Sequence, residues 1–243
     1  MSGITVLRPG DPPDGFPDPA TAATEPDGLL AMGGDLDPER LLAAYRRGIF
    51  PWYEAGQPIL WWSPDPRAVL LPADLRVSRS LRRTLRSGRF RVSVDQAFPA
   101  VIAACASTRE DSGTWITPDM QRAYGRLHQL GHAHAIETWQ GNELVGGLYG
   151  IAIGRVFFGE SMFSTATDAS KVALCHLVGM ARSHGLELID CQVATGHLQS
   201  LGSRLLPRPA FLERVARLAA LPAAPAAWAA PPVPTSGLAA TMP

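Results

Sequence analysis

The chain has 243 residues, 46% of them hydrophobic and 18% charged; this is enough apolar material for one large core or two smaller ones and excludes disorder throughout. The formal net charge is zero, so bulk charge selects no polyanionic partner and any electrostatic preference must come from local clustering. The start, MSGITVLRPGDPP, has neither a basic nor an apolar leader segment, and no run of about 18 apolar residues follows, so a cytoplasmic protein with no membrane span is expected.

In chain order, residues 1–28 are rich in Pro, Asp and Gly and read as an extended, partly docked arm, followed by a smaller N-terminal domain over 29–94. Asp37-Pro38 predicts a helix start with a capping side chain and Pro in the first turn; Leu41, Leu42 and Tyr45 share one face and Gly48 ends the helix. The aromatic, proline-broken stretches Ile49–Tyr53 and Ile59–Arg67 read as strand and turn, with Trp61 and Trp62 as structural side chains. Ser78–Arg86 predicts a short amphipathic helix with Leu81 and Leu85 inward. At about 100° per residue Arg79, Arg82, Arg83 and Arg86 fall on the opposite side, and Arg76, Arg89 and Arg91 extend the patch. This stripe is either a phosphate-facing surface or a solvated helix face.

Residues 95–218 form the expected larger domain. Helices are predicted over Asp95–Ser107 and Pro118–Leu130, after which the period changes. Ala135–Trp139, Leu144–Ile153 and Val156–Phe163 read as antiparallel strands joined by hairpins. Asp168 caps an apolar helix ending near Gly185, and strand Leu186–Val193 and a short helix around His197–Leu205 follow. The order β-β-β-α-β-α, with a mixed and mainly antiparallel sheet, is that of an N-acetyltransferase-like (GNAT-like) half-domain, giving an α+β protein. The Ala/Pro-rich residues 219–243 are expected to be disordered.

Several residues invite chemistry. Simple alternation in Leu186–Val193 puts Asp190 and Gln192 on one strand face. Glu160 sits among Phe157, Phe158, Met162 and Phe163, where a carboxylate either pairs inside the fold or faces a cationic ligand. His128, His132 and His134 span a predicted helix end and strand start without a Cys or acidic ligand set, so no metal site is expected, and Gly33-Gly34 and Gly146-Gly147 lack phosphate-loop spacing. Cys105, Cys175 and Cys191 are odd in number and far apart, which suits buried thiols better than disulfides.

The strings GLLAMGGDL (Gly28–Leu36), YRRGIFPWY (Tyr45–Tyr53), PILWWSPDPRAVL (Pro58–Leu70), GTWIT (Gly113–Thr117), ELVGGLYG (Glu143–Gly150), FFGESMFS (Phe157–Ser164) and LIDCQV (Leu188–Val193) resemble, in order and nearly in spacing, the motifs of the leucyl/phenylalanyl-tRNA–protein transferases. The resemblance implies transfer of Leu, Phe or sometimes Met from aminoacyl-tRNA to proteins with an N-terminal Arg or Lys, marking them for degradation, by a monomer needing no metal or redox cofactor. It further implies Gln192 and Asp190 as catalytic residues, Glu160 and Asp190 as binders of the acceptor cation, and Trp52 and Trp115 as contacts to the 3′-terminal adenosine. Leu148, Phe157, Met162, Leu174, Leu177 and Ile189 would line the donor side-chain pocket, though each also suits plain core. Arg76, Arg79, Arg82, Arg83, Arg86 and Arg89 would meet tRNA phosphates. The alternatives are an acetyl-CoA-dependent N-acetyltransferase, disfavoured because STATDASK (Ser164–Lys171) carries no glycine where such enzymes hold pyrophosphate, and a non-catalytic tRNA-binding module.

Overall fold

A computed structural model describes residues 4–107, 114–222, 228 and 231–238. The first layer is a four-stranded sheet built from β1 (Thr5–Leu7), β2 (Leu29–Gly33), β3 (Phe50–Pro51) and β4 (Leu60–Trp62) in the order β1-β2-β4-β3, with α1 (Pro38–Arg46) between β2 and β3. Two arginines tie the N-terminal arm down. Buried Arg40 pairs with Asp35 at 2.9 Å and donates to the Asp11 and Pro12 carbonyls, while Arg47 donates to those of Asp14, Phe16 and Pro17.

The second sheet takes up β5 (Arg67–Leu70), β6 (Arg91–Val94), β7 (Ala133–Gln140), β8 (Glu143–Ile153), β9 (Val156–Ser164), β10 (Leu188–Gln192), β11 (Arg204–Leu206) and β12 (Val233–Pro234) in the order β11-β5-β10-β9-β8-β7-β6-β12. Its helices are α2 (Arg79–Arg86), α3 (Phe98–Ser107), α4 (Pro118–Gln129), α5 (Ala169–His184), α6 (Gly196–Ser200) and α7 (Arg208–Ala219). One face carries α3, α4 and α7, with Phe98, Val101, Tyr124, Phe211 and Val215 buried against Tyr149, Ile151 and Phe158. The other carries α2 and α5, with Leu81, Leu85, Leu174 and Leu177 buried against Ile136, Leu148 and Phe157. Removing Leu81 and Leu85 fully from water contributes about 2 kcal/mol each, which fixes which side of α2 its arginines must occupy. The expected β-β-β-α-β-α order is present as β7-β8-β9-α5-β10-α6, in a mainly antiparallel sheet whose β9–β10 pair is parallel.

Four expectations need correction. The sheets divide the chain between Trp62 and Arg67, not at residue 94, because β5 and β6 both find their backbone partners in the large sheet. The stretch read as a helix to Leu205 gives only α6 before β11 pairs with β5, and α7, absent from the sequence reading, follows. Neither Asp37 nor Asp168 caps its helix through its side chain; the Asp168 carboxylate instead accepts from Thr84 Oγ1 at 3.0 Å and Lys171 Nζ at 3.1 Å. Finally, the described part of the tail is ordered. Trp228 stacks on His134 at 3.9 Å, Val233 and Pro234 pair with β6, and buried Thr235 donates to the Leu85 carbonyl. Composition hid this because one edge strand and one aromatic anchor suffice to dock a segment that cannot build a core, and proline is tolerated at a sheet edge.

Candidate active site

The site arises where two parallel strands part. β9 and β10 pair only over Val156–Phe158 and Leu188–Asp190, after which β9 runs on to Ser164 paired with β8 alone. A cavity of about 420 Å³ lies along the diverging ends and draws residues from both faces of the sheet.

Its apolar end is formed by Leu148, Phe157, Met162, Leu174, Leu177 and Ile189. Gly150 on β8 makes room for one of these walls, since a Cβ there would fall 2.6 Å from Phe157 Cε1. At the mouth stand Trp52, 43% exposed, and the half-buried Trp115. Trp62 Nε1 donates to the Trp52 carbonyl at 2.6 Å and Trp61 Nε1 to that of Gly33, which gives both neighbours a structural task.

The polar end depends on two bulges. On β9, Ser161 pairs with Tyr149 and Gly159 with Gly150, leaving Glu160 as an extra residue that is re-aimed into the cavity. On β10 the register shifts between Asp190 and Gln192, and Gln192 takes a left-handed backbone, φ 60. Such a conformation costs a non-glycine residue about 1–3 kcal/mol and concentrates at functional sites. The bulge, not the expected plain alternation, brings Asp190 and Gln192 to the same cavity.

Asp190, fully buried, accepts from Arg67 Nε at 2.8 Å and Nη2 at 2.7 Å, and from the Gln192 backbone N–H at 2.9 Å. The Arg67 guanidinium lies between the rings of Phe50 and Phe211, 4.5 and 4.7 Å from their centroids. Glu160 accepts from Tyr45 Oη at 2.8 Å, Tyr124 Oη at 2.8 Å and Gln192 Nε2 at 2.7 Å. Burial drives the Glu160 carboxyl up from 4.5 to about 7, the nearby Asp190 charge adds to this, and the tyrosine hydroxyls oppose it. Burial, then the Glu160 charge, raises both phenols well above 10, so they stay protonated donors. Burial likewise pushes the Cys191 thiol up to about 12, which denies it the thiolate a nucleophile needs. The Ser161 hydroxyl lines the same cavity, buried and without a hydrogen-bond partner among the described residues.

Residues 69–216 match the family model described as leucyl/phenylalanyl-tRNA protein transferase, and residues 34–65 match that of the same proteins' N-terminal domain. The chain belongs to the leucyl/phenylalanyl-tRNA–protein transferase family. A transferase of this name from Stutzerimonas stutzeri (strain A1501) is 61% identical over 83% of this chain and 89% of its own length. One from Methylococcus capsulatus is 55% identical over 93% and 96%. Among solved structures, a GCN5-related N-acetyltransferase from Kribbella flavida aligns at TM-score 0.35 and 13% identity, over 70% of this chain and 61% of that one.

The transferase is therefore an aminoacyltransferase, moving amino acids from aminoacyl-tRNA to proteins in the family's degradation-marking reaction. Of the residues singled out from sequence, the structure gathers the six apolar ones, both mouth tryptophans, Glu160, Asp190 and Gln192 around one cavity. Arg76, Arg79, Arg82, Arg83, Arg86 and Arg89 line no part of it. Arg79, Arg83 and Arg86 are exposed on α2, Arg82 is half-buried, and Arg89 lies over Phe90 and donates to Gln140. The direct cation contact expected of Asp190 meets a carboxylate already held by Arg67. His128, His132 and His134 do not line the cavity, and two of them have structural partners: His134 Nδ1 contacts Asp95 at 2.7 Å, and His128 Nδ1 contacts the Ala133 carbonyl at 2.8 Å. Arg67, Tyr45 and Tyr124 are not expected at the site from the sequence, which places Tyr45 only on the inward face of its helix. A lone arginine leading the apolar run Ala68–Leu71, and tyrosines on inward helix faces, are signals for buried groups that must find polar partners.

Proposed function

We propose that this transferase loads Leu-, Phe- or Met-tRNA with the amino-acid side chain in the apolar end of the cavity, and passes the aminoacyl group to an N-terminal Arg or Lys. The supporting observation is that an apolar chamber and a buried, hydrogen-bonded carboxyl share one cavity, so a hydrophobic donor and a cationic acceptor reach a common point. Trp52 and Trp115 at the mouth are suited to stack the 3′-terminal adenosine, worth about 1–3 kcal/mol per base. The exposed arginines of α2 would take tRNA phosphates. The enzyme would work in the cytoplasm as a monomer.

In the reaction the neutral α-amine attacks the ester carbonyl, the tetrahedral intermediate collapses, and the ester C–O bond breaks with the ribose oxygen taking up a proton. Gln192 positions the amine through its side-chain oxygen, because its Nε2 is already committed to Glu160. An amide oxygen is too weak a base to keep the proton, which passes to the departing ribose hydroxyl. Asp190 acts through structure: neutralised by Arg67, it grips the Gln192 N–H and stabilises the left-handed turn. Glu160 meets the Arg or Lys side chain. The test compares Phe transfer from Phe-tRNA to Arg-, Lys- and Glu-starting peptides by wild type and Glu160→Gln. The expected result is loss of the preference for basic N-termini in the variant; an unchanged preference overturns the assignment.

A further inference from the structure

Tyr45, Tyr124 and Glu160 make three mutual oxygen–oxygen contacts: Tyr45 Oη to Tyr124 Oη at 2.5 Å, Tyr45 Oη to Glu160 Oε1 at 2.8 Å, and Tyr124 Oη to Glu160 Oε2 at 2.8 Å. Each needs a hydrogen between its oxygens. The two phenols supply two hydrogens, and Gln192 Nε2 serves a separate contact to Oε1. With an ionised carboxylate, one of the three contacts would set lone pair against lone pair. A carboxylic acid closes the ring by reversing one contact from that of the ionised form: its Oε2–H donates to Tyr124, Tyr124 donates to Tyr45, and Tyr45 donates to Oε1.

We propose that in the free enzyme Glu160 carries this third hydrogen as a neutral acid and releases it to water when the cationic side chain of an acceptor N-terminus enters. Acceptor capture and proton release are then one event. The carboxyl that remains is a full negative charge opposite a full positive one, formed only when its partner is present.

The surroundings support this from every side. From α1 and α4 come the two tyrosines, with Tyr149 of β8 behind Tyr124, their rings 5.7 Å apart. From β10 come the Gln192 amide and the Asp190 charge, and from β5 the Arg67 guanidinium, which gives Nε and Nη2 to Asp190 and makes no hydrogen bond to Glu160, though its charge opposes the upward shift of that carboxyl. Glu160 is 7% exposed, so an ionised form would have little water to lean on. The upward shift of this carboxyl to about 7 agrees with the hydrogen count.

This rests on the acceptor role given to Glu160, and the experiment separates the two. Infrared difference spectra of the intact enzyme between about pH 5 and pH 9 should contain the C=O band of one protonated buried acid, lost in Glu160→Gln and bleached by excess N-acetyl-arginine amide. A Gln amide nitrogen in the place of Oε2 can donate to Tyr124 while its oxygen accepts from Tyr45, so the ring still closes and that variant should fold. The same compound has no titrating amine. As an inhibitor of wild type its inhibition constant should fall about tenfold per pH unit until about pH 7 and then level off, and in Glu160→Gln it should stay flat. Absence of the band in free enzyme, or a band that persists while the compound binds, overturns the coupled release. A compound that inhibits neither form, or both equally, overturns the acceptor role of Glu160 whatever the band does.

Discussion

The two ends of the active cavity are built on different physics. The apolar end is a packing product of α5 against β8, β9 and β10, where each side chain is one of several of similar shape that would fill the space. The polar end is held by directional bonds among α1, α4, β5, β9 and β10, with two strand bulges and one strained residue. The first arrangement tolerates exchange and can tune which donor is accepted. The second cannot lose a member without leaving a buried polar group unmatched.

The largest effect should come from Arg67→Ala, which abandons a fully buried Asp190 and should cost about 3–5 kcal/mol in denaturant unfolding. Adding Asp190→Leu should recover part of that loss, and no recovery would mean the pair does not act as a unit. Next, Gln192→Ala should lower single-turnover transfer from Phe-tRNA by about 10²–10³-fold while tRNA binding stays unchanged. Near-normal rates would remove Gln192 from the chemistry.

Glu160 gives a pH test of the polar end. Its carboxyl lies near 7 folded against an ordinary 4.5, so the folded protein holds more protons between those values. Stability contributed by the protonated acid is full below about pH 4.5, is lost as pH rises to about 7, and changes no further above. Unfolding curves of wild type should decline across this window by on the order of 3 kcal/mol relative to Glu160→Gln. Parallel curves would place the carboxyl back in the ordinary range.

At the apolar end, Leu177→Ala should shift the ratio of kcat/KM for Phe-tRNA over Leu-tRNA toward the larger donor by about tenfold, with smaller changes at the polar steps. The smallest effect belongs outside the cavity. Reversing Arg83 and Arg86 to Glu should weaken tRNA binding and lower its salt dependence by about one unit per lost phosphate contact, leaving the fold intact. Unaltered binding would mark α2 as a solvated face.

The same contrast explains what the sequence could and could not disclose. Periodicity gave α2 to α5 and the hairpins of the large sheet but not α7, and the long motif strings pointed to the residues now found around the cavity. The pairing of Arg67 with Asp190, 123 residues apart, has no local signature, and the same is true of Tyr45 and Tyr124 closing on Glu160 from two different helices. The bulges were invisible because alternation predicts the right neighbours on a regular strand and says nothing about an inserted residue. The docked tail was missed for a different reason: its attachment depends on an edge that β6 leaves open, which no property of residues 219–243 announces.

The Glu160 bulge also bears on how such a site is gained or lost. Tyr149–Ser161 on one side and Gly150–Gly159 on the other are already in register, so the acid occupies a position that a regular ladder would omit. Deleting one codon would close the ladder without moving either flank. Presence or absence of an acid at this point of the cavity is thus a matter of strand length, reachable by a single in-frame insertion or deletion as well as by substitution.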